Sequence, residues 1–204
     1  MKINLGCGSQ TPGGWINVDY ALGARLMRVP LFRRLNQRFR FFNLSWNDSV
    51  FIHDLTKTFP WDSGSVDVIY SSHTLEHFTR ENGVRFLKEC HRVLKRSGSI
   101  RIVVPDLAHI VQAYLDGQIR ADEFVDKLEV LFDPSTNPIK HKLAPFAQFP
   151  HRCMYDTPTL MSVMDGIGFE CESKGPFQSI IPDIRSIEIE PRTVNAVIVE
   201  GRKR

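Results

Sequence analysis

The first nineteen residues constrain this chain more than any other stretch. Lys2-Ile3-Asn4-Leu5 reads as a short strand running directly into Gly6-Cys7-Gly8-Ser9, and Trp15-Ile16-Asn17-Val18 reads as a second strand ending on Asp19. Glycines where a parallel strand gives way to a turn let the backbone approach a ligand, because no Cβ stands in the way. An acid closing the next strand is placed to accept hydrogen bonds from ribose hydroxyls. Together they describe an adenosine-type ligand at the carboxyl edge of a sheet. A dinucleotide fingerprint would need a third glycine and roughly 20 residues before the acid. Here Gln10 stands two beyond Gly8, Gly13 and Gly14 belong to a Pro-Gly-Gly turn, and the acid comes too early. A cofactor without a pyrophosphate suits the stretch better.

The rest of the chain keeps a strand–helix rhythm. Phe51 to Leu55 reads as a short third strand, and Val66 to Tyr70 as a buried one. Val84, Leu87, His91 and Leu94 recur at helical spacing from Glu81 to Arg96, with Gly98 as the stop. Ile100 to Val104 is a β-branched strand ended by Pro105. Strand, helix, strand at these lengths implies parallel neighbours and a right-handed crossover. Helical spacing returns from Asp106 to Phe132, Asp133 to Pro150 is loop-like, and Thr157-Pro158 opens a helix closed by Gly166 and Gly168. Phe169 to Lys174, Ile184 to Ile189 and Val194 to Val199 are the candidate late strands.

Several segments carry a family resemblance in order. Asn4-Leu5-Gly6-Cys7-Gly8 resembles motif I of the class I S-adenosylmethionine-dependent methyltransferases, and His53-Asp54-Leu55 resembles the segment that meets the adenine. Val66 to His77 resembles the fourth strand and its Leu-Glu-His continuation, and Glu89 to Gly98 the helix and turn before strand five. The match is nearest to small bacterial methyltransferases associated with surface-polysaccharide genes. The resemblance implies a Rossmann-like α/β fold, with a seven-stranded, mostly parallel sheet, an antiparallel end and flanking helices. It implies one domain over 1–204, with an arginine-rich insertion at about 21–47 and a helical and loop insertion at about 106–156. It implies methyl transfer from S-adenosylmethionine to a small acceptor, a hydroxyl of a sugar or glycan precursor.

On that resemblance Gly6, Cys7, Gly8, Asp19, Asp54, Leu55 and Ser72 are the cofactor-binding candidates. A carboxylate at Asp54 suits an adenine amino group, although the same residue type also caps turns. Asn4 stands where the family often has an acid. His73 and His77 follow the fourth strand and are the candidate bases for a hydroxyl proton. His151, Arg152 and Tyr155 are suited to grip a polar or phosphorylated acceptor, and Asp156 to cap a helix.

Three rival readings stay open. A binding module would keep the fold without turnover, and a nucleotide-dependent dehydrogenase or epimerase would bind nicotinamide. His73-x-x-Glu76-His77 also fits the inverted zinc peptidases. That site needs both histidines on one helical face and a third ligand downstream. Here the pattern starts directly after a strand, so no metal is expected.

Composition narrows the setting. The chain has 204 residues, 42% hydrophobic and 24% charged, with no apolar run near the ~20 residues of a membrane span. The first strand begins at once, without a secretion signal, and the four scattered cysteines read as reduced thiols. Both point to a cytoplasmic protein. Net charge is +3, yet six arginines and no acid fall between Tyr20 and Asn47, interleaved with Leu31, Phe32, Leu35 and Phe39. They form either a surface insertion with snorkelling arginines or a contact with anionic phosphates at the inner membrane surface. No nucleic-acid motif is present, and nothing in the sequence sets the oligomeric state.

Overall fold

The computed structural model describes residues 1–39, 47–131 and 149–204. Arg40 and most of the 133–150 loop reading lie outside them. Seven strands form one sheet: β1 (Lys2–Leu5), β2 (Ile16–Asp19), β3 (Phe51–Ile52), β4 (Val66–Ser72), β5 (Leu94–Pro105), β6 (Phe169–Ser173) and β7 (Ala196–Lys203). Their order is β3-β2-β1-β4-β5-β7-β6. The first five are parallel, and β7 runs antiparallel to both β5 and β6. The strand order reverses beside β1, so the ends of β1 and β4 open a crevice where ligands bind in such sheets.

Alternation along the strands builds two cores. Ile69, Ile102, Val104 and Val199 face a large cluster with Phe86, Leu87, Leu160 and Met164. Tyr70, Val103 and Ile198 face the other side, against Trp15, Ile181, Ile184 and Ile187. The large cluster is closed by two helices, numbered here with the others in chain order after α1 (Leu22–Met27) and α2 (Pro30–Phe39). α3 (Arg80–Val93) starts on Thr79, whose side chain accepts from Asn82 N, and buries Phe86, Leu87, Cys90 and Val93 at helical spacing. α4 (Leu107–Leu115) and α5 (Ala121–Lys127) follow β5 and bury no residue fully. α6 (Thr157–Ile167) is capped by Asp156, which accepts from Thr159 N.

Three expectations change. The helix read to Arg96 stops at Val93, because Leu94 pairs with Val66 and Lys95 turns to Asp67. Lys203 caps the helix end by donating to Leu94 O at 2.8 Å. The third strand ends at Ile52, because Asp54 accepts from Thr56 N at 2.9 Å and turns the chain. Ile184 to Ile189 is no strand: Ile184–Ser186 is a 3₁₀ turn, and Ile184 with the following Ile187 fills the second core.

The segment between β6 and β7 is held by Arg101, which is 0% exposed. Its guanidinium grips Glu188 with two bonds of 2.8 Å and Glu200 at 2.9 Å, and donates to Gln178 O and Gly175 O. All five of its donors are used. Glu200 is its register partner across β5 and β7. Removing one member of a buried pair leaves an uncompensated charge and costs about 3–5 kcal/mol. Arg101→Leu is therefore expected to lower unfolding free energy by about that amount in urea titration, with Glu188 and Glu200 stranded.

Candidate active site

The crevice beside β1 and β4 is a cleft of about 390 Å³. Gly6, Gly8, Asp19, Asp54, Leu55, His73 and His77 line it, so the structure brings seven of the sequence candidates together. Tyr20, Thr74, Phe78, Phe149 and Arg192 complete the wall.

The two motif glycines do different work. Both lie at positive φ, +71° for Gly6 and +54° for Gly8. A Cβ on Gly6 would stand 2.0 Å from Thr74 Oγ1, so this glycine serves close packing of the loop on the end of β4. A Cβ on Gly8 would meet only Arg192 Nη2 at 3.7 Å, so Gly8 keeps the cleft open. Asp19 holds the loop in place: its carboxylate accepts from Gly8 N at 2.8 Å and from Ala21 N at 2.7 Å. Each oxygen keeps a further acceptor site for a ligand hydroxyl. Asp54 likewise both caps its turn and lines the cleft.

Not every candidate reaches the cleft. Cys7 and Ser72 border a void of about 10 Å³ behind the loop, with Asn4 and Gln10. Burial pushes the Cys7 thiol up to about 12, which makes it a packed, unreactive group. Asn4 does not stand in for the missing acid at the ligand. It is buried and bonds Asn17 Oδ1 and Gln10 O, each at 3.0 Å, tying β1 to β2 and the loop. Tyr155 belongs to the core, where its hydroxyl packs over Gly83. The Arg152 side chain is exposed and absent from the cleft lining, while its amide donates to Glu76 O at 2.7 Å. Neither side chain is placed to grip an acceptor in this cleft.

His151 does join the site, through a cluster with Glu76 and the cleft-lining His77. His73 sits at φ +51° directly after β4, and its Nε2 lies 3.0 Å from the Arg192 carbonyl. That oxygen only accepts, so Nε2 carries the proton and Nδ1 the lone pair. Nδ1 stands 3.5 Å from Glu76 Oε1. Glu76 is 1% exposed, and neither of its carboxylate oxygens has a hydrogen-bond partner among the described residues. Burial pushes its carboxyl up to about 8. Burial also lowers His73 and His77 below the ordinary histidine value, so both favour the neutral form. His151 donates from Nδ1 to Leu128 O at 2.8 Å, and its ring centre lies 5.1 Å from that of His77.

The peptidase arrangement is not formed. Leu75–His77 is a 3₁₀ turn, so His73 and His77 do not share an α-helical face. The residues that do converge are Glu76, His77 and His151. Arg192, which borders the cleft and orients His73, was not found by sequence reasoning. It lies in Glu190-Pro191-Arg192, more than a hundred residues past the motif it meets, and carries no local signal.

Residues 3–102 match the family model described as a methyltransferase domain. This stretch is a methyltransferase domain. Its cofactor is S-adenosylmethionine. The whole chain also shares its fold with solved structures of low identity. A SAM-dependent methyltransferase from Methanosarcina mazei matches at 16% identity and TM-score 0.52, covering 99% of this chain and 91% of its own. The YcgJ protein from Bacillus subtilis matches at 13% and 0.52, covering 100% and 91%. A SAM-dependent methyltransferase from Archaeoglobus fulgidus matches at 14% and 0.51, covering 99% and 85%. None of the curated proteins matches the sequence. The cleft of the methyltransferase suits its cofactor: an open glycine loop, two strand-end acids and one arginine border a single space.

The glycines separate in experiment. Gly8→Val is expected to keep the fold by circular dichroism and lose S-adenosylhomocysteine binding in calorimetry, because its branches enter the cleft and resist positive φ. Gly6→Ala is expected to lower the melting temperature instead, because its Cβ meets Thr74.

Proposed function

We propose that this methyltransferase methylates a hydroxyl on a sugar or glycan precursor. The observation that carries the hydroxyl part is the position of neutral His73 and His77 on the cleft wall beside the glycine loop. The carbohydrate class rests on the resemblance to polysaccharide-associated methyltransferases. In this reading Asp19 accepts from the ribose hydroxyls, Asp54 and Leu55 meet the adenine, and Arg192 pairs with the methionine carboxylate.

S-adenosylmethionine supplies a sulfonium methyl: the acceptor oxygen bonds the carbon, the sulfur keeps the electron pair of the broken bond, and the acceptor loses a proton. The chain's task is alignment and proton removal. His73 receives the proton on Nδ1, because its other nitrogen is committed to the Arg192 carbonyl. His77, on the same wall, contacts the acceptor.

The test is transfer of labelled methyl to a panel of sugars, nucleotide sugars and amines. A methyl ether survives alkali, whereas a methyl ester is hydrolysed. An alkali-stable label on a sugar is expected, and label confined to amines or esters would overturn the reading. His73→Ala is expected to cut turnover by about 10²–10⁴ with cofactor affinity nearly unchanged. S-adenosylhomocysteine, but not NAD, is expected to raise the melting temperature.

We further propose that the arginine-rich insertion meets an anionic membrane surface. Leu31, Leu35 and Phe39 fall at fourth positions along α2 and are 67%, 41% and 58% exposed, with Arg34 and Arg38 beside them. An apolar stripe flanked by arginines suits the headgroup region. Among the described residues Arg25 stacks 4.6 Å from the Tyr20 ring, Arg28 bonds Val50 O, and Arg38 lies 6.0 Å from the Phe39 ring of the same stripe. Among the described residues no helix is long and apolar enough to cross a membrane. Salt-sensitive pelleting with anionic vesicles is expected, at about 1 kcal/mol per basic residue that reaches the surface. Equal pelleting with neutral vesicles would count against it.

A further inference from the structure

We propose that Glu76, His77 and His151 bind a zinc ion on the wall of the methyl-transfer cleft, with its fourth coordination position open to the acceptor. Ion binding stands alone, while the role given to the ion rests on the hydroxyl-methylation reading above.

The donor set is already gathered. One ligand atom from each of the three residues lies within 4.8 Å of the other two. Zinc bonds of about 2.0–2.2 Å need donors within about 4 Å of one another, so small rotations of two imidazoles close the site. The carboxylate is the second and independent observation. Glu76 is 1% exposed, and neither oxygen has a hydrogen-bond partner among the described residues. Ionising a carboxyl buried this deeply is costly, and a bound cation offsets that cost.

Both histidines suit ligation. His151 donates from Nδ1 to Leu128 O at 2.8 Å, which fixes its tautomer and leaves Nε2 unprotonated, 4.0 Å from Glu76 Oε1. Metal-bound histidines are commonly oriented by such a carbonyl. His77 has a buried Nδ1 with no hydrogen-bond partner among the described residues. Around the cluster, Glu129 Oε2 lies 3.7 Å from His151 Nε2, and His73 Nδ1 faces Glu76.

Two imidazoles and one carboxylate are a donor set for zinc, and three protein ligands leave one position free. Of the three ligands His77 lines the cleft, and the free position is assigned to that side. An acceptor hydroxyl bound there would ionise more readily, because the cation stabilises the oxyanion. His73 would then receive the released proton. The sequence pattern thus contributes Glu76 and His77 as ligands, and the third ligand comes from a loop 74 positions later.

The test uses the purified chain after chelation and dialysis, with zinc chloride alone as the probe. One zinc per chain is expected by elemental analysis, with a rise in melting temperature on zinc addition. Glu76→Gln and His151→Ala are each expected to weaken zinc affinity at least 100-fold in calorimetry and to abolish that rise. Glu76→Gln keeps the shape of the side chain, so retained circular dichroism with lost zinc separates ligation from misfolding. His109→Ala, exposed on α4, is expected to bind zinc as the wild type does. Absence of stoichiometric zinc, or equal affinity in both ligand variants, would overturn the site. Alkali-stable methylation of a sugar that is indifferent to chelation would overturn the ion's role and leave the hydroxyl reading intact. Stoichiometric zinc with methylation confined to amines would overturn that reading and leave the binding site intact.

Discussion

The fully saturated guanidinium of Arg101 sets the position of everything between β6 and β7. That stretch has little regular structure of its own: two 3₁₀ turns joined by loop. Its backbone oxygens at Gly175 and Gln178, and the carboxylates of Glu188 and Glu200, all converge on one side chain of β5. With Glu188 drawn inward, Ile184 and Ile187 drop into the second core. The chain then leaves the core at Arg192, whose carbonyl meets His73 and whose guanidinium faces the glycine loop. A buried ion pair of this kind contributes modest net stability, but its geometry is unforgiving. Here the geometry positions Arg192 on the cleft wall, about ninety residues away in sequence.

The site itself is a meeting of strand ends. The glycine loop leaves β1, Asp19 ends β2, Asp54 follows β3, and His73 follows β4. A parallel sheet places these carboxyl ends along one edge, which is why four short sequence signals share one cleft. The pieces also brace one another. Thr74 fills the space that Gly6 leaves, Asp19 ties down the Gly8 amide, and the Arg192 carbonyl fixes the His73 tautomer. Several cleft-lining groups are thus held by bonds to one another.

Local patterns made most of the framework legible. β1, β2, β4, α3 and α6 follow from runs of β-branched residues, apolar spacing and cap residues that act within a few positions. Errors arose where a distant partner overruled the local preference. Lys95 and Arg96 look like the last turn of a helix, yet Val66 pulls Leu94 into the sheet. The isoleucines of Ile184 to Ile189 suit a strand, yet Glu188 serves Arg101 and Ile184 and Ile187 serve a core. Tyr155 looks like an acceptor-binding residue, yet its ring is needed under α3.

The sequence alone determined the order of strands and helices, the glycine loop with its two following acids, and the histidines after β4. These depend on backbone conformation, side-chain alternation and spacing, which act over a few residues. Only the tertiary structure decided that Gly6 serves packing while Gly8 serves the cleft, since that difference is made by Thr74 and Arg192. It alone brought His151 to Glu76 and His77 and buried the Glu76 carboxyl, whose oxygens have no hydrogen-bond partner among the described residues. Burial and the identity of neighbours from distant segments are products of chain packing. His73 and His77 lie within a few positions of Glu76, but no short window of sequence also contains His151.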